Sequence, residues 1–289
     1  MTTAPRAIAL WVFLLVAAVL LAARAQFFGG GRAHRGYEIR DPELIREQDE
    51  MQKAIDPKFS EDVFTFARLK FAGSESFRFG GGRNWDDDTP QADLSLTWRL
   101  YQVTSLKVRA GLNYVDITTK DLANYPFVYA AAGGRLELTE DEISALHTYL
   151  LSGGFLMVDD FWGDDEWQHF YEQIKRVFPD REPVELSLDN RIFHTVFDFK
   201  QEPQIPSVGA FLSDGQSYDP GWPYSEKTHE PHYYALYDDN QRMMAIICHN
   251  NHYGDGWEHE TDDHAYFDRF SEPQAYPMFI NILVYAMTH

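Results

Sequence analysis

The stretch Leu138–Asp160, "LTEDEISALHTYLLSGGFLMVDD", constrains the fold more than any other part of the chain. Thr139 and Glu142 have the spacing of a capping box, and Leu138 and Ile143 sit where a hydrophobic staple would close over the first turn. The helix they open should run to about Ser152 and stop at Gly153-Gly154. "FLMV" follows at once, an apolar run with no polar alternation, as expected of a strand covered on both faces of a parallel sheet. A helix that feeds within three residues into a buried strand predicts a βα-repeating architecture.

The same grammar recurs on either side. "VFTFARLKF" (63–71) reads as a first strand, and Thr89-Pro90 opens a helix with Leu96, Leu100 and Val103 on one face. "PFVYAAAGG" (126–134) reads as another buried strand. A helix with Trp167, Phe170, Tyr171, Ile174 and Phe178 at helical spacing ends at Pro179. "RMMAIICHN" (242–250) resumes as a strand, and Pro273 should start a closing helix carrying Phe279, Ile282, Leu283 and Ala286. Residues 187–232, rich in Pro, Ser and Gly, read as long loops. The alternation predicts an α/β fold, a mainly parallel sheet with helices on both faces.

Ahead of this domain, Arg6 precedes the uncharged run Ala7–Ala23, followed by Ala23-Arg24-Ala25. This is the plan of a secretory signal peptide, while the length of the run also suits an N-terminal membrane anchor. The expected organisation is therefore residues 1–25 as signal or anchor, 26–60 as a tether with a short helix opened by Asp41-Pro42, and 61–289 as a single α/β domain. Either treatment of the first segment places that domain outside the cytoplasm, periplasmic or held at the inner membrane, with membrane contact only through the segment. Without residues 1–25 the chain carries 23 basic against 45 acidic residues, a net charge of −22. Such a surface repels nucleic acid and anionic lipid. The single cysteine, Cys248, excludes an intramolecular disulfide.

"GGRNWDDDTP" (81–90) superficially resembles a phosphate-cradling loop. Its glycines run into Asp86, Asp87 and Asp88 with no following Lys-Ser or Lys-Thr, so a phosphate would meet three carboxylates. More informative is the strand end at Asp159 and Asp160, because ligands of parallel α/β sheets lie beyond the carboxyl ends of the strands. There the two aspartates could cap a helix and meet solvent, or serve as a general base, metal ligand or polar anchor. Trp85 and Trp162 could stack on a carbohydrate-like or peptide-like group, with Asp86 nearby. Seven of the eleven histidines fall between positions 194 and 264. His249, Asn250, His252 and Asp255 follow a buried strand, so hydrogen-bonding histidines or a divalent-metal set of His249, His252 and Asp255 are both open. Cys248 ends an apolar run and reads as a buried, inert thiol.

From about Val63 to His289 the chain resembles the bacterial domain of unknown function 4159 family, through "NWDDDTPQAD", "YPFVYAAAGG", "LTEDEISALHTYLLSGGFLMVDDFWG" and "NILVYAMTH". The resemblance implies the class I glutamine amidotransferase-like superfamily and its flavodoxin-like α/β fold. True amidotransferases of that class carry a cysteine nucleophile in the turn after a central strand; the comparable turn here holds Asp159 and Asp160. The turn is closer to the trehalose-utilisation-like branch, where a later His-Pro pair corresponds to His194-Thr195. That likeness adds His194 to Asp159 and Asp160 as a site candidate. The resulting expectation is a module of the cell envelope that binds a polar small molecule, a carbohydrate or an envelope protein without amidotransferase chemistry. Open beside it are a hydrolase of envelope carbohydrate or peptide using carboxylate- or metal-assisted water, and a structural subunit of an envelope complex.

Overall fold

A computed structural model describes residues 42–60, 62–71, 84–221 and 225–289. The expectations for residues 1–41, including the apolar segment, and for the glycines of "GGRNWDDDTP" lie outside the described residues. Among the described residues seven strands form one sheet. They are β1 (Arg68–Lys70), β2 (Tyr114–Asp116), β3 (Phe127–Ala130), β4 (Phe155–Val158), β5 (Val184–Glu185), β6 (His232–Tyr237) and β7 (Met243–His249). Their spatial order is β2-β1-β3-β4-β7-β6-β5. The first five run parallel; β6 pairs antiparallel with β7, and β5 antiparallel with β6. Counting only the parallel strands in chain order gives 2-1-3-4-5, the order of flavodoxin-like folds.

The helices are α1 (Pro42–Lys53), α2 (Gln91–Val103), α3 (Glu140–Leu151), α4 (Gly163–Val177), α5 (Val208–Asp214), α6 (Tyr253–Glu258) and α7 (Tyr276–Thr288). The two-residue period of the strands divides the core between two faces. Phe127, Tyr129, Phe155, Met157, Ile246 and Cys248 face one cluster, completed by Leu96 and Leu100 of α2, Trp257 of α6 and Phe279 of α7. Val128, Ala130, Leu156, Val158, Ala245 and Ile247 face the other, with Leu146 and Leu150 of α3 and Phe170 and Ile174 of α4. Both faces of the sheet are thus covered, which is why its central strands contain almost no polar residue.

α3 begins as its sequence specifies: Thr139 accepts from the Glu142 amide, and the Glu142 carboxylate accepts from the Thr139 amide at 2.8 Å. Elsewhere the elements depart from expectation in instructive ways. The first strand pairs at Phe64, which bridges Val108, and again at Arg68–Lys70, so it is two short pairings instead of one continuous run. Val103 is exposed, since α2 ends at that residue, beyond the core contact made by Leu96 and Leu100. Pro273 lies inside a π-helical stretch, Phe267–Ala275, that runs directly into α7. A widened turn accommodates a residue that has no N–H to donate. Among its described residues the 187–232 region contains α5 and two 3₁₀ turns besides loops.

Candidate functional site

The carboxyl ends of β3, β4 and β7 lie side by side, and the turns that follow β4 and β7 are stitched together. Asp160 donates its N–H to the Asn251 carbonyl at 3.1 Å, and Asn250 donates to the Phe161 carbonyl at 3.0 Å. The Gly133 amide, just past β3, donates to the Asp159 carbonyl at 3.0 Å. To reach these contacts Asp160 and Asn250 adopt φ of 60° and 57°, and Asp88, ahead of α2, adopts 62°. Asp and Asn are the side chains best able to occupy this left-handed region, and they do so at some cost.

These turns gather acidic groups around one imidazole. His252 Nε2 is 3.1 Å from Asp88 Oδ2, 3.5 Å from Asp160 Oδ1 and 3.5 Å from Asp255 Oδ1. Burial works against a charged ring here, yet Asp160, Asp255 and Asp88 together raise His252 well above its ordinary range. The other oxygen of Asp255 accepts from the Val208 amide at 2.7 Å. Burial opposes ionisation of Asp255, but His252 and His259 hold it down at about 2. His259 in turn is raised to about 10 against its burial, by Asp255, Glu258 and Asp262. Asp159, fully buried, accepts from the Tyr253 amide through Oδ2 at 2.6 Å, while its Oδ1 has no hydrogen-bond partner. Burial raises its carboxyl well above the usual range; His252 opposes the rise and Asp160 adds to it.

Two further features hold Asp88 in place. Arg68, in β1 and fully buried, forms an ion pair with Asp93 at 2.7 Å. Its Nη1 also donates to the Asp87 carbonyl at 2.6 Å and the Trp85 carbonyl at 3.3 Å, tying down the turn that presents Asp88. Opposite, α6 passes close to the Asp88 carboxylate at Gly254, where a Cβ would stand 1.9 Å from Oδ2. Only glycine permits that approach.

The structure therefore brings together Asp159, Asp160, His252 and Asp255 of the expected set. The other expected residues lie elsewhere or are otherwise engaged. Asn250 serves the scaffold: its Oδ1 accepts from Gly163 N–H, and its Nδ2 donates to the Lys227 and Glu230 carbonyls. Trp162 is 2% exposed, so its ring packs inside the protein and is not presented for stacking on a ligand. Trp85 pairs with Tyr114 at 5.4 Å near β2, and the Asp86 carbonyl accepts from Thr89. His194 is bound by Asp198 at 2.5 Å and by the Leu188 carbonyl at 2.7 Å, on a 3₁₀ turn, Arg191–His194. His249 contacts the Gly163 carbonyl and packs against Phe161 and Trp167. It lines a separate cavity of about 500 Å³ with Asp164, Lys227, Glu230 and His232. Desolvation lowers its ring to about 4.

Asp88, the Arg68–Asp93 pair and His259 were not singled out as site residues from sequence. Asp88 had a visible signal, three consecutive aspartates before a helix start, but its direction depends on a partner 164 positions away. Cys248 lies within β7 and is fully buried. The turns after β4 and β7 thus together offer carboxylates, a buried imidazole and no thiol, a set suited to proton transfer, cation binding or anchoring of a polar ligand. A family model described as a domain of unknown function, DUF4159, matches residues 65–287. No curated protein matches the sequence.

Proposed function

The chain belongs to the domain of unknown function 4159 family, and from that footing we propose that its working site is the crevice beyond β3, β4 and β7. There Asp159, Asp160 and His252 bind a polar ligand without amidotransferase chemistry. One observation carries the reading: Asp88 and Asp160, both with left-handed backbone, bring their carboxylates to the same buried imidazole. Strained backbone, on the order of 1 kcal/mol per residue, combined with concentrated buried charge is costly to a fold and is found where function requires it. Its position at the carboxyl ends of parallel strands agrees with where such folds bind ligands. The ligand class fitting an acidic, hydrogen-bonding and almost wholly buried cluster is a small neutral or cationic polar group, such as one presented at the end of a carbohydrate or peptide. The apolar segment Ala7–Ala23 supports placing this activity in the cell envelope.

A hydrolytic reading has its own support in Asp159. A carboxyl that burial raises can hold a proton and act as a general acid, within electrostatic reach of His252, which Asp255 also contacts.

The test is a thermal-shift screen of mono- and oligosaccharides, short peptides and polyamines on the wild type and on Asp160→Asn. Asparagine keeps the left-handed turn and removes the charge. At least one compound should raise the Tm of the wild type and leave the variant unmoved. Compounds that raise both equally would place binding outside the crevice.

A further inference from the structure

Building on the crevice as the working site, we propose that Asp88 Oδ2, His252 Nε2 and Asp255 Oδ1 are three ligands of a divalent transition-metal ion, with Asp160 Oδ1 beside them. The set differs from the one expected from sequence: His249 drops out and Asp88 enters.

Geometry is the first support. The three groups offer ligand atoms that all lie within 4.8 Å of one another, and His252 Nε2 stands 3.1 and 3.5 Å from its two partners. Adjacent ligands at about 2.0–2.2 Å from a zinc-like ion in tetrahedral or octahedral arrangement are separated by about 2.8–3.6 Å. Both imidazole–carboxylate separations therefore already match the spacing a shared ion imposes.

Valence is the second. Three carboxylate oxygens surround one ring nitrogen. A single N–H makes one strong hydrogen bond at a time. A dication serves all three together with a neutral imidazole.

The third support comes from groups around the centre. The Asp159 carboxyl, fully buried and electrostatically coupled to His252, Asp160 and Asp88, has an oxygen without a hydrogen-bond partner. Unsatisfied polar atoms in a buried cluster are a recognised sign of a missing ion or water. The ligands are also held in place: Val208 N–H fixes the second oxygen of Asp255, and His252 donates its own amide to the Ile205 carbonyl at 2.8 Å. Such support is what a metal ligand set requires to be selective.

One nitrogen with two or three carboxylate oxygens suits zinc, manganese or iron(II) better than calcium, which takes six to eight oxygens. A neighbouring group, Asp255, Glu258 and His259, shares Asp255. With Val208 occupying its other oxygen, Asp255 serves one ion, so the stoichiometry is one.

The full chain would be stripped with chelator, dialysed against Zn²⁺ or Mn²⁺, and its metal content measured by elemental analysis. The wild type and His249→Gln should each retain about one equivalent. Asp88→Asn and His252→Gln should bind at least tenfold more weakly. Gly254→Ala, which keeps every ligand but crowds Asp88, should weaken binding as well and guards against misreading a folding defect. Retention by His252→Gln equal to that of the wild type, loss in His259→Gln alone, or no retained metal in the wild type would each overturn the assignment. Absence of metal together with a ligand response abolished in Asp160→Asn would reject the ion and leave the polar-ligand site standing. Normal metal retention with a ligand response unaffected by Asp160→Asn would do the reverse.

Discussion

His252 Nε2 stands 3.1 Å from Asp88 Oδ2, joining two residues 164 positions apart. The contact exists because Gly254, two residues after the histidine, offers no side chain where the Asp88 carboxylate lies. Gly254→Ala introduces a helix-favouring residue into α6, yet its Cβ must turn the carboxylate away. We expect stability to change by no more than about 1 kcal/mol, because the displaced group is the end of a side chain. Binding of any crevice ligand should be lost, as calorimetric titration would show; undiminished binding would mean that Asp88 is not part of the site.

The buried pair of Arg68 and Asp93 holds the turn that presents Asp88. Removing one partner leaves the other charged inside the protein, which typically costs about 3–5 kcal/mol. Arg68→Met should cost that much in urea unfolding. Arg68→Met combined with Asp93→Leu should recover a large share of it, although the carbonyls of Trp85 and Asp87 still lose their donor. A double variant no more stable than Arg68→Met would show that those carbonyls, and not the stranded carboxylate, set the cost.

His249 supplies a dependence on pH. Its ring titrates at about 4 in the folded protein against 6.5 in the unfolded chain, chiefly through desolvation. Between those values the unfolded chain takes up a proton that the folded one refuses, so stability is complete above pH 6.5 and declines as the pH falls toward 4. The decline amounts to at most about 3 kcal/mol. His249→Gln lacks this group. Unfolding free energies of the two proteins at pH 7 and pH 4 should therefore show the wild type losing ground to the variant in acid. A constant difference would mean that the ring is protonated in the folded state.

Cys248 is buried within β7, and burial pushes its thiol well above the ordinary range. It should resist maleimide labelling in the native protein and react once the protein is unfolded in urea. Cys248→Ala should retain crevice binding with a loss of stability of about 1–2 kcal/mol. Rapid native labelling would contradict the assignment of this residue to the core.

The scaffold was legible because its signals are local. The capping box of Thr139 and Glu142, the two glycines after α3 and the run Phe155–Val158 each lie within a few residues, and each formed as read. β2 escaped because three residues with one buried side chain, Val115, carry no measurable period. β6 had a signal, buried Tyr233 and Ala235 alternating with half-buried His232 and Tyr234, but it follows immediately on a loop-like stretch. The site was half legible for the same reason. Asp159, Asp160 and His252 sit just past strand ends that a βα pattern locates, and Asp255 in the helix that follows, whereas Asp88 belongs with them only through the fold. Trp162 and Asn250 share those strand ends, yet one side chain turns into the core and the other ties loops together. Sequence gives the address of a residue and leaves open the direction of its side chain.

The central claim is that the crevice around Asp159, Asp160 and His252 is where this protein binds its ligand, and it is tested most directly by locating a bound molecule. A crystal structure of the chain with the strongest compound from the thermal-shift screen should show that compound against these three residues. Density in the His249 cavity, or at any other surface, with the crevice unchanged would contradict it.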